Sequence, residues 1–169
     1  MVAAPQMMDT WTNAERWCWN EICAGRIADF NKRYDINSEL DPKSSADWEN
    51  QEEQRLLSAD FLVTILTQDS MRCAMSFQGV RIIGAWFKEP IELNHARLER
   101  QLWLEKCRLE AALQLIDLGI DSWFSLESSH LIGDVNLGGA MLKSHVSLSS
   151  AAFEAEVNLT AAKIGGLLT

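Results

Sequence analysis

The sequence predicts a mainly β fold: a right-handed quadrilateral β-helix capped at its N-terminal end by an α-helical segment. Three observations predict it. From Val80 to the last residue one pattern recurs every eleven residues without insertion or deletion. Within each copy the apolar residues alternate at period two in two short bursts, as in two very short strands separated by a corner. Before residue 79 the apolar residues instead recur at three- and four-residue steps, the period of a helix. A fixed period of this length marks a repeat architecture. The division is therefore a helical cap over residues 1–78 and a β-helix over residues 79–169.

The copies begin at Val80, Ile91, Leu102, Leu113, Phe124, Val135, Val146 and Val157, and a ninth starts at Leu168. The third position of each holds Ile or Leu, from Ile82 to Leu159. The sixth is mostly small: Ala85, Ala96, Cys107, Leu118, Ser129, Ala140, Ala151 and Ala162. The eighth runs from Phe87 through Leu142 and Phe153 to Ile164. Among these interior slots only Ser129 is polar. The innermost residues step by five and six, so four sides make a coil of about 22 residues and the region holds about four coils. A flat two-sided coil of eleven residues is the rival, but large side chains at every central slot need a wider lumen. Stacking at 22 residues sets Trp86, Arg108, His130 and Ala152 in one outer column and Arg97, Gly119, Met141 and Lys163 in another.

In the cap, one helix is expected from about Thr10 to Asn31, with Thr12 or Asn13 as its N-cap. Trp17 and Trp19 on it cannot both face one core. Residues 34–54, polar and acidic with one proline, read mainly as a loop that Trp48 anchors. A second helix is expected over Glu52 to Thr67, with Ser58 as the place where a separate short helix could start. Residues 68–79 read as a turn into the repeats, and residues 1–9 as a loose end.

Net charge is −9. Residues 1–78 carry 7 basic and 13 acidic side chains, and residues 79–169 carry 8 and 11. With no basic stripe to neutralise phosphates, direct nucleic-acid binding is not expected. Cys18, Cys23, Cys73 and Cys107 form no CxxC pair, and unpaired thiols suit a reducing cytoplasm. No signal peptide or membrane-spanning run is visible. His95, His130 and His145 fall at different repeat positions, so they read as corner residues on the surface and no metal site is expected. No catalytic triad, paired carboxylates or phosphate loop can be assembled, so neither an enzyme nor a cofactor is expected.

Segments such as GVRIIGAW, IELNHARL, VNLGGAML and VNLTAAKIGGLL resemble pentapeptide-type repeats. With AERWCWNEICAGRIADFN and RLLSADFLVTILT before them, residues 13–169 resemble the N-terminal part of bacterial proteins labelled membrane-associated oxidoreductases. The chain has no GxGxxG after a strand, no CxxC and no haem motif, so the resemblance implies a fold and no redox activity. Some pentapeptide-repeat proteins imitate duplex DNA, which implies one alternative function: an acidic inhibitor of a topoisomerase or a CRISPR effector, acting through residues such as Glu105 and Glu110.

The first expectation is different: a non-catalytic module that presents a rigid β-helix to a protein partner. Outward tryptophans Trp86, Trp103 and Trp123 are its candidate contact residues, since Trp is enriched at binding hot spots. The competing expectation for these rings is that the helical cap covers them. The last coil carries no polar cap, and an open edge of apolar strands invites pairing. Phe153, Leu159, Ile164 and Leu168 are therefore the candidate self-association residues of a homodimer.

Overall fold

In a computed structural model, which describes residues 7–34 and 39–169, the chain forms six helices and a four-sided parallel β-solenoid. The loose end expected at residues 1–9 and the middle of the 34–54 loop fall partly outside the described residues. The first side of the solenoid contains Val80–Ile83, Leu102–Glu105, Phe124–Ser125 and Val146–Ser147. The second contains Trp86–Phe87, Arg108–Leu109, His130–Leu131 and Ala152–Phe153. The third runs from Ile91–Glu92 to Val157–Asn158, and the fourth from Arg97–Leu98 to Lys163–Ile164. Val80 pairs with Leu102, Leu102 with Phe124 and Phe124 with Val146, so each coil takes 22 residues. Both outer columns expected from the sequence occur as strand registers.

The corners show why the period is strict. The fifth residue of every copy has positive φ: Gly84, His95, Lys106, Asp117, Ser128, Gly139, Ser150 and Ala161. In six copies the sixth residue's N–H also donates to the third residue's carbonyl, as Ala140 does to Leu137 (3.0 Å). This is a β-turn with its left-handed residue at the third place. In the copies from Val80 and Leu102 the strand instead runs four residues. There the Cys107 N–H donates to Ser129 Oγ (2.9 Å), and Ser129 Oγ donates to the Leu104 carbonyl (2.7 Å). In the copy from Leu102 the one polar interior slot thus supplies the bonds that the missing turn bond leaves open.

Helix α1 (Asn13–Cys23) starts with a capping box. Thr12 N–H donates to Glu15 Oε2 (2.9 Å), and Glu15 N–H donates to Thr12 Oγ1 (3.2 Å). The helix ends eight residues before the expected Asn31. Gly25, at φ +74, and the bonds from Gly25 N–H to Ile22 O and from Arg26 N–H to Glu21 O form a Schellman stop. The freed segment Ala28–Asp29 then adds a fifth, parallel strand to the first side, against Ile82–Ile83. Helix α2 (Phe30–Tyr34) follows. Trp19 is buried, whereas Trp17 lies at the rim, edge-on to Phe30.

The supposed loop contains α3 (Ser45–Glu49) and α4 (Glu52–Arg55). Trp48 does anchor it: the ring is fully buried and Nε1 donates to the Asp41 carbonyl (2.9 Å). The second expected helix is broken at residues 56–58. Leu56 bridges to Trp86, Leu57 N–H donates to the Trp86 carbonyl (2.9 Å), and Ser58 caps α5 (Ala59–Thr67). The turn expected at residues 68–79 holds α6 (Asp69–Ala74) instead. These short helices escape sequence reading because tertiary contacts, not length, stabilise them.

One apolar cluster runs from Trp11 and Ile22 in the cap through to Leu142 and Val146 in the solenoid. The first end of the solenoid is closed by the chain's own backbone: residues 28–29 on the first side and 56–57 on the second, with α5 packed over the start of the third.

Candidate interaction surfaces

Seven tryptophans occur in the chain. Trp11 and Trp19 pack edge-on in the core of the cap, with centroids 6.0 Å apart. Trp86 was expected to face outward on the second side. It does, but it is only 2% exposed because Trp48 packs edge-on against it. Its surface is taken up by the chain itself. Trp103 is half-buried on the first side, with the Arg81 guanidinium 5.6 Å from its ring centroid. Trp123 stands beside it, edge-on at 5.0 Å, and is 38% exposed.

The strap over residues 39–49 covers more than Trp86. Arg108 Nη1 donates to the Pro42 carbonyl (2.8 Å) and Arg108 Nε to Glu110 Oε1 (3.0 Å). His130 lies below it in the column, its Nδ1 3.1 Å from the Pro42 carbonyl and its Nε2 2.6 Å from Glu154 Oε1. His130 is therefore buried under the strap, in contrast to the corner position expected of it. His95 and His145 are exposed as expected. Arg55 is a further bridge between cap and solenoid. It is fully buried, donating to Gln51 Oε1 (2.7 Å), Asn31 Oδ1 (2.7 Å) and the Gly84 carbonyl (2.9 Å). The sequence places Arg108 in an outer column without assigning it a contact and says nothing of Arg55, since a long cation in a polar stretch reads as solvated.

The carboxylates do not form an acidic ladder. Glu110 pairs with Arg108, Asp121 with Lys143 (2.7 Å), Asp117 with His95 (3.4 Å) and Glu39 with Lys106 (2.6 Å). Glu105 and Glu127 stack one coil apart on the first side, as Asp134 and Glu156 do further along. Ser125 Oγ donates to Glu105 Oε1 (2.6 Å) and Ser147 Oγ to Glu127 Oε2 (3.3 Å). Burial pushes the Glu105 carboxyl up; the Ser125 hydroxyl pulls it down, and the Glu127 charge adds to the rise.

The far end of the solenoid differs from the first. Ala152–Phe153, Val157–Asn158 and Lys163–Ile164 are the last strands of their sheets. Only the first side continues: Leu168 bridges to Val146, and Thr169 exchanges backbone bonds with Val146 and Leu148. Slots that are fully covered in the inner coils open here. Phe153 and Ile164 are half-buried, Leu159 is 42% exposed and Leu168 52%.

All four cysteines are free. Burial pushes the Cys107 thiol up to about 12 and raises Cys18 as well, so both stay protonated. Among the described residues no group of three or more His, Cys, Asp or Glu could hold a metal ion, and no helix is long and apolar enough to cross a membrane. No family model matches the chain, and no curated protein and no solved structure is significantly similar to it.

Proposed function

We propose that the protein is a non-catalytic interaction module that offers a rigid solenoid to protein partners and pairs with a second copy of itself through the last coil. One observation carries this: interior slots covered in every other coil are open at Phe153, Leu159, Ile164 and Leu168, beside three unpaired strand edges. A second copy fits this surface chemically. It brings the same apolar floor and the same edges, and residues 135–169 balance two lysines against two glutamates, so copies do not repel. These four side chains are at most about half exposed, so completing the burial of each is worth no more than about half of the ~1.5–3 kcal/mol of a fully exposed one. Against an association cost of ~4–15 kcal/mol, that supports a dimer of micromolar or weaker affinity. The free thiols are in keeping with a reducing compartment such as the cytoplasm. The eleven-residue pattern wound on a four-sided coil is the ground for reading the chain beside pentapeptide-repeat proteins.

Sedimentation equilibrium tests this. The wild type is expected to pass from monomer to dimer over roughly the micromolar range, as that affinity implies. The doubly substituted Leu159→Lys, Leu168→Lys protein, altered where the side chains are exposed, is expected to stay monomeric with an unchanged circular dichroism spectrum. Equal association by both proteins would refute the reading.

A further inference from the structure

Four tryptophans of this molecule, two of them buried and two half-buried, share a habit. Trp17 carries the Arg33 guanidinium 4.6 Å from its ring centroid, Trp48 carries Arg55 at 5.5 Å, Trp86 carries Lys88 at 4.2 Å and Trp103 carries Arg81 at 5.6 Å. At Trp86 the cation is also fixed by a carboxylate, with Lys88 Nζ 2.8 Å from Glu52 Oε1. A ring face and a carboxylate together hold a cation more firmly than either alone, because the ring quadrupole and the full charge attract the same group.

Trp123 is the remaining tryptophan outside the core. It is more exposed than any of these rings, and among the described residues no cation lies over it. It lines a cavity of about 310 Å³ on the outer face of the first side, together with Glu127, His145, Ser147, Ser149 and Thr169. Glu127 and Glu105 behind it are neighbouring carboxylates whose short-range partners are serine hydroxyls. Two cations of the first side, Arg81 and Lys106, are already engaged: Arg81 Nη2 donates to the Gly25 carbonyl (2.8 Å) and Lys106 pairs with Glu39.

We propose that the Trp123–Glu127 cavity is a docking site for an arginine or lysine side chain of a protein partner, which completes from outside the ring–cation–carboxylate set that Trp86, Lys88 and Glu52 complete within the chain. The cavity opens on the first side next to the far end, and Leu167 and Thr169 belong to its lining, so docking there and pairing through the last coil are separated by experiment. Its neighbours fit the occupant. The ring takes the flat face of a guanidinium or the stem of a lysine. Glu127, held by the Ser147 hydroxyl, supplies the counter-charge, and the Ser149 hydroxyl in the cavity lining is an acceptor for a remaining N–H group. A single cation held this way binds weakly, so the site serves a partner with further contacts or several basic residues.

The test uses the full chain, labelled with ¹⁵N, with Leu159→Lys, a position outside the cavity lining, in a parallel sample so that pairing through the last coil is separated from docking. The probe is a short Gly-Arg-Gly-Arg-Gly peptide with blocked ends, and its control is the same peptide with neutral citrulline in place of arginine. The Trp123 indole N–H resonance, identified by its loss in Trp123→Phe, is followed during titration. A saturable shift is expected in both samples. It should be at least several-fold weaker for the citrulline peptide, for Glu127→Gln and at high salt. Equal response to the citrulline peptide overturns the proposal. So does no saturable shift, undiminished arginine binding by Trp123→Ala, or saturation instead by a neutral oligosaccharide.

Discussion

Ser129 looks like a flaw in an otherwise apolar set of slots, and replacing it by the alanine that several other copies carry looks harmless. The geometry predicts otherwise. Its hydroxyl accepts from the Cys107 N–H and donates to the Leu104 carbonyl, both buried. Ser129→Ala orphans them and is expected to cost about 1–3 kcal/mol in chemical denaturation. The corners carry the opposite liability. Ala161 holds φ +58, a left-handed conformation that costs an L-residue roughly 1–2 kcal/mol and glycine almost nothing. Ala161→Gly is therefore expected to raise the melting temperature slightly, despite adding flexibility to the unfolded chain. Cys107 sets a pH limit. Its folded thiol titrates near 12, against 9.0 for an unperturbed thiol, so above pH 9 the unfolded state releases a proton that the folded state keeps. Stability is then expected to fall as pH rises from about 9 towards 12, and Cys107→Ala to flatten that fall in thermal melts. At this scale the interior slots were legible from the eleven-residue period alone. The role of Ser129 was not, because it depends on a strand two residues longer than its neighbours.

At the scale of elements, the solenoid was readable and much of the cap was not. Each strand repeats a local pattern that its neighbours copy 22 residues away, so spacing alone sets the register. The cap has no such redundancy. Gly25 was the visible signal for the early stop of α1, and Ser58 for the start of α5. Nothing local announced that Ala28–Asp29 joins a sheet or that residues 39–49 lie across the second side as a strap. The strap is attached by one large buried ring, Trp48, by Pro42, whose carbonyl accepts from Arg108, and by the exposed Glu39–Lys106 pair. Removing the ring, in Trp48→Ala, is expected to cost about 3–5 kcal/mol of the strap's attachment. Limited trypsin digestion should then cut after Lys43 well before the solenoid is attacked. Equal resistance of variant and wild type would mean the strap is held elsewhere. The same element explains the tryptophans: Trp86 lies under it, and Trp123 lies beyond its reach.

For the whole molecule the governing feature is an asymmetry between ends. The first end is closed by strand, bridge and helix drawn from residues 28–67, and the apolar cluster passes through it without interruption. The far end shows the same interior with its floor exposed. The sequence could reveal the second fact, since the pattern reaches Leu168 unchanged. It could not reveal how completely the chain closes the first. The proposed end-to-end pairing rests on that asymmetry, and its shape distinguishes it from association at Trp123. Small-angle X-ray scattering over a concentration series is the most direct measurement. End-to-end pairing predicts a dimer whose longest dimension approaches twice that of the monomer, absent in Leu159→Lys, Leu168→Lys. A particle that stays monomeric at every concentration, or a dimer that widens without lengthening, would contradict it.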